Sequence, residues 1–490
     1  DFGVDATLGG NYMRRKLERE NTLADEFYAY GLYSLSNSPD LSPQYSVSER
    51  GVNSLYGSAE LSFRDMLFLT GTLRNDWFST LSPENWSILY PSVSTSFVFS
   101  DALPVPSWLD FGKIRAAYAE VGSDTDVSPY SNILFYGVNQ NRFNGYALGG
   151  ITGAVPNAEL KPMRLKEWEV GTELSFVDRV RLDLGYYHRV AESQILSQDI
   201  SSASGWGSRQ VNVGETMNQG IEALLDASLV RRPGFSWNTI FNVNWNKSEA
   251  LELGVGTDRI RSGFADFHGT LNQIEGEEMN QVCGPGWLRD AQGRIVHNVD
   301  GRPLADPVEK CYGSALPKWI GGITNTFNIR GVSISALVDF KLGHKLISGT
   351  HTNAVRHGLD PITLQGRDQG CIVGDGVNED GQPNTACYPI QSYWEAIRTY
   401  RLAEQSVFDA GYWQLRQITL GYDLTPHLNG AFGFDQVRLN LSANNVWLIK
   451  KWVPHVHPEQ NAIFGDSRMG LESTGMPVTR GLGVNVNIRW

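Results

Sequence analysis

The last ten residues, GLGVNVNIRW (481–490), constrain the fold more than any other stretch. Leu482, Val484, Val486, Ile488 and Trp490 share one parity, and Gly481, Gly483, Asn485, Asn487 and Arg489 share the other. Successive side chains of a strand point to opposite faces. This strand therefore has one wholly apolar face and one that is small, polar or cationic. An amphipathic strand ending on an aromatic residue is the mark of an outer-membrane β-barrel, with lipid outside and water inside.

The same alternation recurs. In 333–342, Ile334, Ala336, Val338, Phe340 and Leu342 oppose Ser333, Ser335, Asp339 and Lys341. In 237–246, Trp237, Thr239, Phe241, Val243 and Trp245 oppose four asparagines. Segments 168–176 and 437–443 repeat the pattern. Charged and amide side chains are costly in hydrocarbon, so the second face must see water. The reading is an all-β chain, a transmembrane antiparallel β-barrel with about fourteen strands, each near the length that crosses a bilayer at a tilt. They begin near residues 1, 49, 65, 86, 110, 166, 179, 216, 233, 316, 331, 408, 434 and 476.

Connections then alternate in length. Short turns fall at 63–65, 177–179, 230–234 and 329–331; long loops fall at 13–48, 122–165, 191–215, 249–315, 344–407 and 450–475. Turns on the periplasmic side and loops on the extracellular side are how such barrels are built. Trp77, Trp86, Tyr90, Trp168, Trp319, Tyr412, Trp413, Trp447 and Trp452 lie near strand ends, as an interfacial aromatic girdle would. No apolar run is long enough for a transmembrane helix, and the mean hydropathy of −0.28 suits a barrel that shows lipid only alternate residues. A formal charge of −12 argues against nucleic-acid binding. The chain opens Asp1-Phe2-Gly3 without an initiator Met or a signal peptide, as a processed chain or the tail of a longer one would.

Cys283 and Cys311 share loop 249–315, and Cys371 and Cys387 share loop 344–407. None forms a C-x-x-C pair. Two per loop in an oxidising compartment suggests two local disulfides, with four free thiols as the alternative. Closing a loop of about 15 residues would constrain the unfolded chain by roughly 3 kcal/mol. Segment 374–382, GDGVNEDGQ, offers Asp375, Asn378, Glu379 and Asp380 without the ligand spacing of an EF-hand, so an Asp/Gly-rich turn is the favoured reading. His455, His457 and Glu459 stand in HVHPE, where flanking prolines favour a plain loop over a metal site. No nucleophile elbow, P-loop or dinucleotide fingerprint occurs. No catalytic, cofactor or metal residue is assigned. Trp206, Trp287 and Trp394 are candidates for stacking on cargo, and local packing accounts for them equally.

Six segments in order resemble the C-terminal barrel half of a SusC/RagA-type TonB-dependent outer-membrane transporter. They are 74–100, 113–126, 159–176, 376–385 (GVNEDGQPNT), 411–424 (GYWQLRQITLGYDL) and the terminal strand. The resemblance implies a parent barrel of about twenty-two strands. By that comparison residues 1–490 are its C-terminal part, without the plug, the TonB box and about eight early strands. It further implies import of an oligosaccharide or peptide, a SusD-like lipoprotein lid, and energy from TonB with ExbB and ExbD. Trp490 stands where Phe is the commoner last residue. Val486, Ile488 and Trp490 look like the signal read by the barrel-assembly machinery, plain contact with outer-membrane lipid being the alternative. Three rivals stay open: a complete passive channel of about fourteen strands, an outer-membrane hydrolase, and a surface adhesin. A partial sheet leaves two edges unpaired in lipid, so residues 1–490 alone are expected not to form a stable channel unless those edges meet.

Overall fold

The computed structural model describes the chain apart from residues 1, 125–126, 152, 213, 255, 257, 266–268, 429–432, 461–468 and 474. Fourteen strands, hydrogen-bonded in sequence order, form one sheet. They are β1 (Phe2–Asp25), β2 (Asp40–Phe63), β3 (Leu67–Phe78), β4 (Ser87–Val98), β5 (Leu109–Ser123), β6 (Met163–Phe176) and β7 (Val180–Glu192). The series continues with β8 (Glu215–Arg232), β9 (Phe235–Glu252), β10 (Trp319–Ile329), β11 (Val332–Leu342), β12 (Tyr412–Asp423), β13 (Gln436–Lys451) and β14 (Gly481–Arg489). β1 and β14 end this order, each with one hydrogen-bonded neighbour. Every strand expected from alternation is present.

Tight turns explain the antiparallel register. Phe63 C=O accepts from Met66 N–H at 3.1 Å and Phe176 C=O from Arg179 N–H at 3.0 Å. The central residues Arg64 (φ 49°), Asp65 (53°), Val177 (46°) and Asp178 (52°) all take positive φ. That is the geometry whose twist matches the flanking strands.

The expected loops need correction. Segment 13–48 is mostly strand: β1 and β2 pair without interruption from Phe2↔Phe63 to Asp25↔Asp40. Its outer half carries Arg14, Arg15, Lys16, Glu18, Arg19 and Glu20. Water on both faces removes the apolar alternation that marks a strand, while the ladder continues. β1, β2, β8 and β9, at 24, 24, 18 and 18 residues, exceed the about 9–11 residues a bilayer needs.

The chain divides into two compact units. The first comprises Asp1–Ser96, Ala117–Trp168 and Val190–Glu215. Val52, Phe78, Ile88 and Tyr90 pack there with Leu81, Val127, Leu160 and Ile195. Asp124 is fully buried. It takes the Arg50 guanidinium, and the Thr80 hydroxyl at 2.5 Å. A buried carboxylate needs such partners, so the ion pair fixes the strand-following segment to β2. Tyr90, expected in the girdle, is buried, and its hydroxyl donates to Asp76.

The second unit comprises Phe97–Ala116, Glu169–Arg189 and Thr216–Trp490. Cross-strand aromatic pairs brace its wall, Trp237 on Phe327 at 5.5 Å and Phe340 on Trp413 at 4.4 Å. The stretches expected as loops 249–315, 344–407 and 450–475 contain a folded body. It has a four-stranded sheet (Arg259–Ala265, Gly269–Ile274, Gln281–Trp287, Ala305–Ser314) and helices Gly349–Arg356 and Ile390–Thr399. One core cluster joins Leu271, Val282, Ile347 and Leu471. A second joins Trp287, Val355, Ile372, Trp394, Ile397 and Leu402.

Candidate functional site

Register assigns the faces of the second unit's wall. Asn238, Asn242 and Asn244 of β9 lie opposite Thr326, Gly322 and Ile320 of β10. These in turn face Ser335, Asp339 and Lys341 of β11. The other parity carries Trp237, Phe241, Ile323, Phe327, Ile334 and Val338. Only the polar parity can line a watery lumen. Amides link its rows. Asn244 Nδ2 donates to Glu222 Oε1 at 3.0 Å and Asn238 Nδ2 to Asp226 Oδ1 at 3.0 Å. Gln417 Nε2 donates to Asn444 Oδ1 at 2.9 Å. A cavity of about 580 Å³ lies against this surface, lined among others by Arg115, Asp183, Glu222, Asn244, Asp339 and Lys341. Each amide offers donors and an acceptor, which suits the hydroxyls of a sugar or the peptide groups of a chain.

The charges here are paired. Arg115 reaches Glu169 at 3.2 Å and Asp183 at 2.9 Å. Glu173 takes Lys113 at 2.9 Å and Arg181 at 2.6 Å. Arg416 is the hub at the outer end. Its guanidinium donates to Asp339 Oδ2 from Nη2 at 2.7 Å, to Asn445 Oδ1 at 3.0 Å and to Glu459 Oε2 at 2.9 Å. A bulge puts it there, since the register slips between Leu415 and Gln417 against β13. Alternation alone did not single out Arg416, Asp339, Lys341 or Glu459 as a group. The signal was the pair Arg416-Gln417 between Leu415 and Ile418, two successive polar residues where alternation allows one.

Glu459 brings the last long connection onto the wall. It accepts the Tyr412 hydroxyl at 2.6 Å and Lys341 Nζ at 3.1 Å. Burial pushes its carboxyl upward, but the Tyr412 hydroxyl, Lys341 and Arg416 outweigh burial and hold it at about 2. Tyr412, expected in the girdle, is instead fully buried in this network. Its neighbour His457 accepts Glu459 N–H on Nδ1 at 3.1 Å, so its Nε2 carries the proton and donates to Gln414 Oε1 at 3.0 Å. Burial lowers the imidazole below its usual range. His455 turns elsewhere, its Nε2 lying 2.7 Å from Asp360 Oδ2.

The remaining sequence candidates fall as follows. Cys283 and Cys311 are bonded across paired strands with Cα atoms 4.0 Å apart, and Cys371 is bonded to Cys387 at 5.5 Å. Trp287 and Trp394 sit in the folded body's core, and Trp206 is half-buried. Asn378 Oδ1 accepts from Asp380 N–H at 3.1 Å and Gln382 N–H at 2.9 Å, ahead of Gly381 at φ 77°. Its oxygen is thus spent on an Asx turn. Asp290 and Asn298 close turns of the same form at 290–294 and 298–302. Val486 and Ile488 of β14 and Trp490, which follows it, are all exposed.

Residues 1–446 match the family described as TonB dependent receptor-like, beta-barrel. TonB-dependent receptor P3 of Formosa agariphila is 22% identical over 534 residues, spanning 100% of this chain and 51% of its own length. TonB-dependent receptor SusC of Bacteroides thetaiotaomicron is 23% identical over 263 residues, 51% of this chain and 26% of its own. Among solved structures, the RagAB peptide importer in its open-open state superposes with a TM-score of 0.77 at 17% identity, over 99% of this chain and 52% of that chain. The chain thus spans about half the length of the Formosa receptor and of the RagAB chain, and about a quarter of SusC. It belongs to the TonB-dependent receptor β-barrel family of the outer membrane.

Proposed function

We propose that the chain forms the C-terminal barrel wall of a SusC-type importer that takes up oligosaccharides or peptides. The polar face of β8–β12 carries the reading: it joins amide rows and paired charges to a cavity of about 580 Å³. Such a surface can pass neutral polar cargo through a sequence of weak hydrogen bonds without trapping it. In this reading a SusD-like lipoprotein covers the outer loops, and TonB with ExbB and ExbD supplies the energy. Val486, Ile488 and Trp490 serve as the assembly signal and meet lipid. Support for the partners comes from the family.

Uptake by cells carrying and lacking the gene tests this, with labelled oligosaccharides and peptides and with a protonophore. Uptake that needs the gene and stops with the protonophore is the expected result. Gene-dependent uptake indifferent to the protonophore would instead make this a passive channel. Turnover by the purified protein would make it a hydrolase, and binding without uptake an adhesin.

A further inference from the structure

The folded outer body holds a second cavity, of about 280 Å³, away from the lumenal wall's polar rows. Arg356, His357, Arg367, Gln391, Trp394 and Glu395 line it. It lies where helix Gly349–Arg356 ends and helix Ile390–Thr399 begins. Arg356 is half-buried and, among the described residues, makes no side-chain hydrogen bond or ion pair. Arg367 is held by one end only: its Nη2 donates to Gly358 C=O at 2.9 Å and Thr363 Oγ1 at 2.9 Å. The rest of its fork is unspent.

A helix terminus adds donors at the same place. Helix Ile390–Thr399 starts after Pro389 with no side-chain cap; Ile390 N–H donates to Gly370 C=O at 3.2 Å, and the rest of the first turn presents its N–H groups and the positive end of the dipole. Trp394 beneath it is 8% exposed, and its indole Nε1–H, without a hydrogen-bond partner among the described residues, is sealed from the open space of the pocket. Buried donors are rarely left so. Two guanidiniums against one carboxylate, Glu395, leave the lining net positive. Ile390, beside the edge of Trp394, supplies an apolar wall.

We propose that this pocket binds a small organic anion: a carboxylate, sulfate or phosphate carried on a single sugar-sized ring. Arg356 and Arg367 meet the charge, the helix terminus adds N–H donors, and the ring lies along the apolar wall. Glu395 accepts a ring hydroxyl. The volume admits one ring. The anion is either part of a soluble acidic sugar or a phosphate of a surface glycolipid, and both present the same group to the two arginines.

Calorimetry on the full receptor chain in detergent tests this, with glucuronate, glucose 6-sulfate and inorganic phosphate as probes and glucose as the neutral control. At least one anion binds saturably and glucose does not. R356Q and R367Q each weaken binding at least about tenfold. Q391E, at an exposed position, weakens it similarly by placing a second carboxylate at the rim, and decides the matter if either arginine variant fails to fold. The proposal is overturned if no probe binds at millimolar concentration, or if binding is indifferent to all three substitutions. Repeating the titration in nanodiscs with and without lipid A separates the sources: competition by lipid A identifies the glycolipid, and its absence the soluble sugar. The readout is equilibrium binding, so it is independent of whether the chain imports cargo.

Discussion

Within the second unit, the wall and the outer body solve the same problem in opposite ways. The wall leaves its apolar residues exposed: Leu441, Leu482, Val484 and Ile488 stay open in the isolated chain. Lipid completes their burial, and ladder hydrogen bonds with cross-strand pairs hold the strands. The outer body buries its own apolar groups. Val282, Ile347, Val355 and Ile397 are all but inaccessible, and two disulfides close its segments. The wall therefore tolerates volume changes and fears charge, while the body tolerates surface charge and fears voids.

The largest effect that could break this contrast is a cavity in the body. Trp394→Ala should cost the body about 3–5 kcal/mol, read as earlier proteolysis within 269–315 and 344–407 while heat-modifiable migration of the barrel persists. Loss of both together would show one cooperative unit. Next, Leu441→Arg sets a cation on the lipid face between Leu420 and Val484. It should cost about 2–4 kcal/mol in reconstituted bilayers. Ser442→Arg, one residue on and facing Thr419 and Gly483, should stay within about 0.5 kcal/mol. Equal costs would mean the two faces are misassigned. Third, replacing Cys371 and Cys387 together by Ser opens a closure spanning 16 positions. It should destabilise the body by about 3 kcal/mol and leave the wall unchanged; thermal melts of both parts decide it.

The same contrast explains what could be read from the residues. Each wall strand had to alternate because lipid and water lie on its two sides, so Ile334 to Lys341 announced both faces at once. Where water lies on both sides, as for Arg14 to Glu20 on β1, alternation lapses and the strand reads as loop. The body was illegible for another reason. Trp287 and Trp394 come from distant segments and meet only in three dimensions, and no local period records that meeting. Arg416 is intermediate: the doubled polar residue writes a bulge, but its partner Glu459 arrives from a separate connection.

Glu459 is where body-side chain meets wall, and it gives the smallest and sharpest test. Its carboxyl is held at about 2 against an ordinary value of 4.5, so the folded state favours the charged form. A depressed carboxyl stabilises fully above its unfolded value and loses that contribution as pH falls from about 4.5 toward 2. Allowing for solvent at a quarter-exposed side chain, the contribution at neutral pH is about 2 kcal/mol. Amide exchange of 455–460 should therefore speed up on acidification through that window, once the intrinsic pH dependence is removed. Glu459→Gln keeps the hydrogen bond from the Tyr412 hydroxyl but discards the attraction of Lys341 and Arg416. It should exchange faster at pH 7 and show no acid limb. An unaltered acid limb in the variant would assign the transition to a group other than Glu459.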